Sequence, residues 1–274
     1  MEGNDCYKFS TVKRYVEHTG AKPVRVAVDI GAHTGRVTRE MRSYFPDAHI
    51  FAFEAVRHYF AEAWAALRDD PRIHVFNLAV TALHLYADPF GMERRPHRGD
   101  LTIYRSLPGH NGWEGGSRVL PRNAGPPPGR YDRLADSVHP ITLDALVQAV
   151  LVLADAEEVD FIKTDCEGSE YSFLGSASEE TLRRIRFVGG EYHGIGAMYE
   201  LMRERLFNTH YVNLVGNAEL GSFFCERTGE PQTILNPDKT GMLHLRPWLH
   251  HEPLEWHVFR EEFVAPEERW AHGF

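Results

Sequence analysis

Three cysteines, Cys6, Cys166 and Cys225, are all that this chain of 274 residues carries. So sparse and odd a set excludes a disulfide framework, and its spacing fits no zinc site. The three read as reduced thiols. Lysine is nearly as scarce, standing only at positions 8, 13, 22, 163 and 239. The other basic residues are all Arg, and a formal net charge of −9 leaves no basic excess or stripe. Nucleic-acid binders normally show one, so no nucleic-acid partner is expected. Long apolar runs are missing too. The longest, near Ala145–Ala156, is broken by Gln148 and Asp155, which argues against a helical membrane span. The first residues, with Glu2, Asp5 and Lys8, lack the apolar core of a signal peptide. A cytoplasmic location and no membrane partner are therefore expected. The sixteen histidines read mostly as surface residues, and the pair His250-His251 sits in a polar tail.

What is present is punctuated α/β sequence. The run Val26-Ala27-Val28-Asp29-Ile30 stops in the turn Gly31-Ala32-His33-Thr34-Gly35, and a helical pattern follows from Arg36 to Tyr44. This reads as a buried parallel strand, a tight turn and a helix N-terminus. Glycine in such a turn lets a ligand come close to the backbone. A second apolar strand, Ile50-Phe51-Ala52-Phe53, ends in Glu54, where doubly wound folds carry the acid that takes ribose hydroxyls. A dinucleotide site needs three glycines, G-x-G-x-x-G, to bring backbone N–H groups onto a pyrophosphate. Only Gly31 and Gly35 are here, with Asp29 ahead of them. An acid there suits a cofactor bearing an amino group and a sulfonium, namely S-adenosylmethionine (SAM).

The remaining pattern alternates strand and helix, which predicts a parallel sheet. Strands are expected at 24–29, 49–54, 73–77, 159–165 and 187–193. Helices are expected at 35–45, 57–68, 142–154 with Thr142 as cap, 169–185 and 197–207. Strands at 210–216 and 221–227 form a hairpin that would put one antiparallel strand at the sheet edge. The first twenty residues suggest an amphipathic helix with Tyr7, Val12, Tyr15 and Val16 on one stripe and Gly20 as its stop. Residues 105–137, rich in Gly and Pro, read as a loose segment, either a substrate-side element or a surface insertion. The expected organisation is an N-terminal helix (1–22), a single domain (23–230) and a C-terminal extension (231–274). Trp248, Trp256, Phe259, Phe263 and Trp270 crowd that extension and need burial, which makes a homodimer reasonable.

In this order the motifs resemble the FkbM family of SAM-dependent methyltransferases. The likeness rests on Asp29 to Gly35 with Thr38, Ala52-Phe53-Glu54, Ile162-Lys163-Thr164-Asp165-Cys166-Glu167-Gly168 with Glu170, and Glu191, and it covers roughly residues 24–227. It implies the class I (Rossmann-like) methyltransferase fold, an α/β architecture whose seven-stranded sheet is mostly parallel with an antiparallel last strand. It also implies methyl transfer, usually to a hydroxyl of a sugar, polyketide or other secondary metabolite. The chain departs from the family pattern at His33, where Asn is commoner, and at Ala55, where Pro is usual.

Ligands of such sheets bind at the carboxyl ends of the strands. Asp29, Gly31, His33, Gly35 and Thr38 are assigned to the cofactor's methionine end and Glu54 to its ribose. The turn Leu78-Ala79-Val80 is expected to wall the adenine, with Ala79 and Val80 in contact. Asp165 and Glu167 should lie nearest the transferred methyl. An alcohol needs a base as it loses its proton. His193 is the expected base, oriented by Asp165 or Glu191, since a histidine beside a carboxylate titrates near neutrality. The same three side chains would also suit a divalent metal, but the cluster lacks the adjacent Asp-Asp pair such sites often show. A hydroxylated small molecule is the expected substrate, with an amine or peptide acceptor and a silent SAM-binding protein as alternatives.

Overall fold

The computed structural model describes residues 7–82, 101–106, 118–121, 131–166, 169–193, 206, 209–216 and 220–227; at 101–106, 118–121, 131–137, 192–193, 211–216 and 220–221 it describes the backbone. The central sheet has seven strands: β1 (Val26–Ile30), β2 (His49–Phe53), β3 (Ile73–Phe76), β8 (Val159–Thr164), β9 (Ile185–His193), β10 (His210–Gly216) and β11 (Leu220–Arg227). They lie in the order β10-β11-β9-β8-β1-β2-β3. The first five in sequence run parallel, while β11 is antiparallel to both β9 and β10. The antiparallel strand is thus one position in from the edge, not at it as the hairpin suggested. Phe223, Phe224 and Cys225 explain the difference: all three are buried, and a strand apolar on both faces belongs inside a sheet.

Helices cover both faces. On one, α1 (Phe9–Thr19), α2 (Arg36–Tyr44) and α3 (Arg57–Leu67) close a cluster that includes Phe9, Val12, Met41, Phe45, Phe161 and Phe187. Phe9 meets Phe161 edge-on with ring centroids 5.5 Å apart, so it is Phe9 and Val12 that seat α1. Gly20 ends that helix at φ 66, as its position implied. On the other face α4 (Leu143–Ala154), α5 (Glu170–Ser176) and α6 (Glu179–Arg183) cover Val28, Ile30, Ile162 and Val188. Alternation along β1 and β8 matters for the site. Ala27 and Phe161 face α1 and α2, so Asp29, Lys163 and Asp165, two residues on each time, share that face.

Two expected elements differ. The helix drawn over 169–185 is broken at Ala177-Ser178. Ser178 is extended (φ −67, ψ 151) and its hydroxyl accepts the N–H of Thr181 at 3.1 Å, so a fresh N-cap competes with helix continuation. Ser178→Ala should cost about 1 kcal/mol, read as a lower urea midpoint with an unchanged slope. The segment 105–137 is not wholly loose. β4 (Leu78–Val80), β5 (Leu101–Ser106), β6 (Arg118–Pro121) and β7 (Tyr131–Ile141) form a second sheet, in the order β4-β7-β5-β6. Its Gly- and Pro-rich stretches, 107–117 and 122–130, lie outside the described residues, as do the expected helix 197–207, except Leu206, and the extension 231–274. Among the described residues no helix is long and apolar enough to cross a membrane.

Candidate active site

The chain leaves β1 through three left-handed residues, Gly31 (φ 81), His33 (φ 51) and Gly35 (φ 82). The glycines are required by the protein itself. A Cβ on Gly31 would fall 2.0 Å from the Asp165 carbonyl oxygen, and one on Gly35 would fall 2.7 Å from Leu67 Cδ1. His33 occupies a conformation that Asn accepts more readily than most residues, and its ring lies 3.8 Å from that of Tyr59. The turn is held from both sides. Gly31 and Ala32 N–H donate to Phe53 O at 2.9 and 3.1 Å, Gly35 N–H to Ala32 O at 2.8 Å, and His33 N–H to Glu54 Oε2 at 2.7 Å. Four of the five amides in the turn are therefore committed. A pyrophosphate would need them free, which agrees with the missing third glycine.

Below the turn lies a buried ion pair. Lys163 (1% exposed) sits 3.0 Å from Asp29 Oδ1 (0% exposed), and Thr38 Oγ1 donates to Asp29 Oδ2 at 2.6 Å. Register aligns them, since Asp29 and Lys163 are neighbours across β1 and β8. The ammonium also donates to the Gly31 carbonyl at 2.9 Å. Burial opposes its charge, but Asp29 and then Asp165 outweigh burial and hold Lys163 protonated, above its ordinary range. Asp29 and Thr38, both expected at the cofactor's methionine end, lie in this layer. Both are fully buried, Asp29 is neutralised by Lys163, and the two support the turn from beneath.

Glu54 closes β2. Its second oxygen, Oε1, accepts Val56 N–H at 2.7 Å. Burial pushes its carboxyl above the usual range, against the pull of the Val56 and His33 amides. Asn77 pins the segment that follows, donating to the Glu54 and Ala55 carbonyls at 2.8 and 3.0 Å. The expected adenine turn is corrected to strand β4, which pairs with Leu78↔His139 to Val80↔Ile141 on β7. Ala79 and Val80 are 3% and 7% exposed; Ala79 packs with Val56 and Val138, Val80 in the main core.

At the end of β8 the half-buried Asp165 donates its N–H to Ile30 O at 3.1 Å and accepts the Tyr7 hydroxyl on Oδ2 at 2.6 Å. The β8–β9 pairing ends at Thr164↔Gly190, one residue before Asp165 and Glu191. His193 ends β9 and pairs with Leu220; its side chain, like all of Glu167, lies outside the described residues. Burial, then Glu170, pushes the Cys166 thiol well up, so it is no thiolate at neutral pH. His210 is held neutral, with burial pushing it down to about 4. Among the described residues no group of three His, Cys, Asp or Glu side chains gathers to hold a metal.

Lys163, Tyr7 and Asn77 received no site role from the sequence, where Tyr7 stood on the first helix's stripe and Lys163 only within the family motif. The signal for Lys163 was there, since a lysine inside an apolar strand must find a buried partner. A separate cavity of about 580 Å³, lined by Lys22, Arg25, His49, Arg72 and Asp47, lies at the amino ends of β1 and β2. Its Lys22 and Arg72 are paired with Glu158 and Asp47.

A parallel sheet of this order, with an antiparallel strand inserted next to its edge and acids at the carboxyl ends of β1, β2 and β8, is that of a class I SAM-dependent methyltransferase. The sequence gives the family: residues 29–212 match the methyltransferase FkbM domain. That is more than half of the chain, and the chain belongs to this family of SAM-dependent enzymes. No curated protein matches it in sequence. Among solved structures it is similar to precorrin-6y C5,15-methyltransferase from Geobacter metallireducens, at 10% identity and a TM-score of 0.40, over 80% of this chain and 87% of that one. The N-terminal domain of human METTL16 in complex with SAH matches at 11% identity and a TM-score of 0.38, over 79% and 67%. The human methyltransferase 10 domain containing protein matches at 10% and 0.41, over 81% and 82%.

The residues present fit SAM. Glu54 offers a carboxylate, fixed by two amides at the end of β2, that would accept from a ribose diol. The neutralised, amide-committed turn beside it carries no preference for a phosphate.

Proposed function

We propose that this enzyme methylates a hydroxyl of a small molecule, a sugar or secondary metabolite. SAM supplies the electrophilic methyl group on a sulfonium. Glu54 holds the ribose, and the Gly31–Gly35 turn, with His33, lies against the methionine end. Asp165, with Glu167 just beyond it, faces the methyl. His193 removes the acceptor proton, with Asp165 or Glu191 orienting its ring.

One observation carries the hydroxyl reading. Asp165 is pinned on one oxygen by Tyr7, while among the described residues its other oxygen accepts no hydrogen bond. A carboxylate fixed in this way can hold an imidazole or an acceptor hydroxyl in line, and alignment supplies much of the rate in a displacement. The net charge of −9 supports a small neutral acceptor over a polyanion. Thr164-Asp165-Cys166-Glu167 also stands where amino-directed nucleic-acid enzymes carry Asn/Asp-Pro-Pro-aromatic.

Methyl-labelled SAM with a panel of glycosides and polyphenols tests the reading. Label transferred to a hydroxyl is the expected result, lost on His193→Ala by roughly 10²–10⁴-fold. Tight SAM binding with label passing only to amines, or to nothing, counts against it.

A further inference from the structure

Tyr7 lies well before residue 29, where the family match begins, yet the fold builds a seat for it. Lys8 adopts a left-handed φ of 63, a conformation disfavoured for lysine, and this bend throws the preceding residue back over the sheet from the start of α1. Gly189 on β9 makes room, since a Cβ there would lie 2.7 Å from the Tyr7 carbonyl oxygen. The ring then covers the Lys163 ammonium at 5.1 Å, a cation–π contact over a buried charge. The hydroxyl reaches Asp165 Oδ2 at 2.6 Å, a charge-assisted length. Tyr7 itself is 8% exposed.

Thr38, Asp29, Lys163, Tyr7 and Asp165 thus form one chain of contacts from α2, under the cofactor turn, to the end of β8. A tyrosine serving only as core filler would need neither the strained bend nor the carboxylate.

We propose that Tyr7 is a positioning residue of the transfer site: its hydroxyl fixes the Asp165 carboxylate toward the cofactor's sulfonium, and its ring seals the Asp29–Lys163 pair beneath. The proposal rests on the reading that the crevice binds SAM with Asp165 beside the sulfur. It concerns the N-terminal segment, which the family's motifs do not include. A carboxylate held there favours the cationic cofactor over S-adenosylhomocysteine (SAH), which lacks the sulfonium charge.

Calorimetric titration of the full chain with SAM and with SAH tests this without any acceptor. The readout is the preference, Kd for SAH over Kd for SAM. Tyr7→Phe keeps the ring and should lower the preference roughly threefold or more, with Asp165→Asn lowering it in the same direction. The double variant should fall no further than Asp165→Asn alone. A ring-fluorinated tyrosine placed at position 7 keeps every packing contact and donates more strongly; it should raise the preference, and it serves if Tyr7→Phe fails to fold. A Tyr7→Phe protein that binds both ligands with the unaltered preference overturns the proposal. So does equal weakening of both ligands, which marks Tyr7 as structural only. If the unaltered chain binds neither ligand, the SAM reading itself falls, and the proposal with it.

Discussion

Lys163→Met is expected to remove about 3–5 kcal/mol of folding stability, a large part of the 5–15 kcal/mol that holds a typical domain. Methionine fills nearly the same volume, so packing is not the cause. The cause is Asp29, which at 0% exposure would keep, among the described residues, only the Thr38 hydroxyl for its charge. Two carbonyl contacts go as well, to Gly31 at 2.9 Å and to Ile30 at 3.5 Å. Urea unfolding followed by circular dichroism would read the loss as a fallen midpoint. Asp29→Asn combined with Lys163→Met should recover most of it, because removing both charges abolishes the desolvation penalty that removing one leaves behind. A double variant no more stable than Lys163→Met alone would show that the carbonyl contacts, not the ion pair, are what matters. The pH dependence has a definite sign. Lys163 is raised above its unfolded value, so its contribution is complete at neutral pH and is lost only as pH rises through the folded value, in strong alkali.

How much of this was legible in the sequence depended on whether the deciding contact was local. β1, β2 and β8 are buried on both faces along nearly their whole length, and that environment writes itself as mostly apolar segments, interrupted in β1 by Asp29 and in β8 by Asp160 and Lys163. The Thr142 cap accepts Ala145 N–H three residues away, and the Gly20 stop is set by its own φ; both are readable in a short window. The Asp29–Lys163 pair joins strands far apart in the chain, and only their register brings the two side chains level. Tyr7 reaches Asp165 across 158 positions. Strands such as β6, four residues long, are defined by pairing with a neighbour, and the Gly and Pro between them drowned their weak alternation. The inner place of β11 was within reach, since Phe223-Phe224-Cys225 is an interior-strand signature. A hairpin has the same turn chemistry whichever of its strands docks, and its turn was read while its burial was not.

Glu54→Gln should weaken SAM and SAH about a hundredfold while leaving the free protein close to its original melting temperature. In the free protein the carboxylate is buried at 6% exposure and accepts two amides, from His33 and Val56, both at 2.7 Å. Glutamine can accept only one of these N–H groups and turns its own NH₂ toward the other. Against that loss, it removes the penalty of a buried charge, the largest influence on this carboxyl. The two effects oppose each other, so stability changes little. Binding has no such compensation. The ribose diol proposed to rest on Glu54 loses charge-assisted hydrogen bonds of about 1.5–3 kcal/mol each, which is one to two decades in Kd for each bond. The thermal upshift that saturating SAH gives the unaltered enzyme should then nearly vanish at the same ligand concentration. In the unaltered enzyme the raised Glu54 value makes affinity fall as pH drops toward it, since only the ionised carboxylate accepts from both hydroxyls. On the stability side the sign is opposite: an acid raised on folding favours the folded state below its unfolded value and loses that contribution as pH rises through the folded one. SAH titrations between mildly acidic and neutral pH should therefore show affinity rising with pH for the unaltered enzyme and a flat profile for Glu54→Gln. Equal affinities and parallel profiles for the two would assign the ribose to another group.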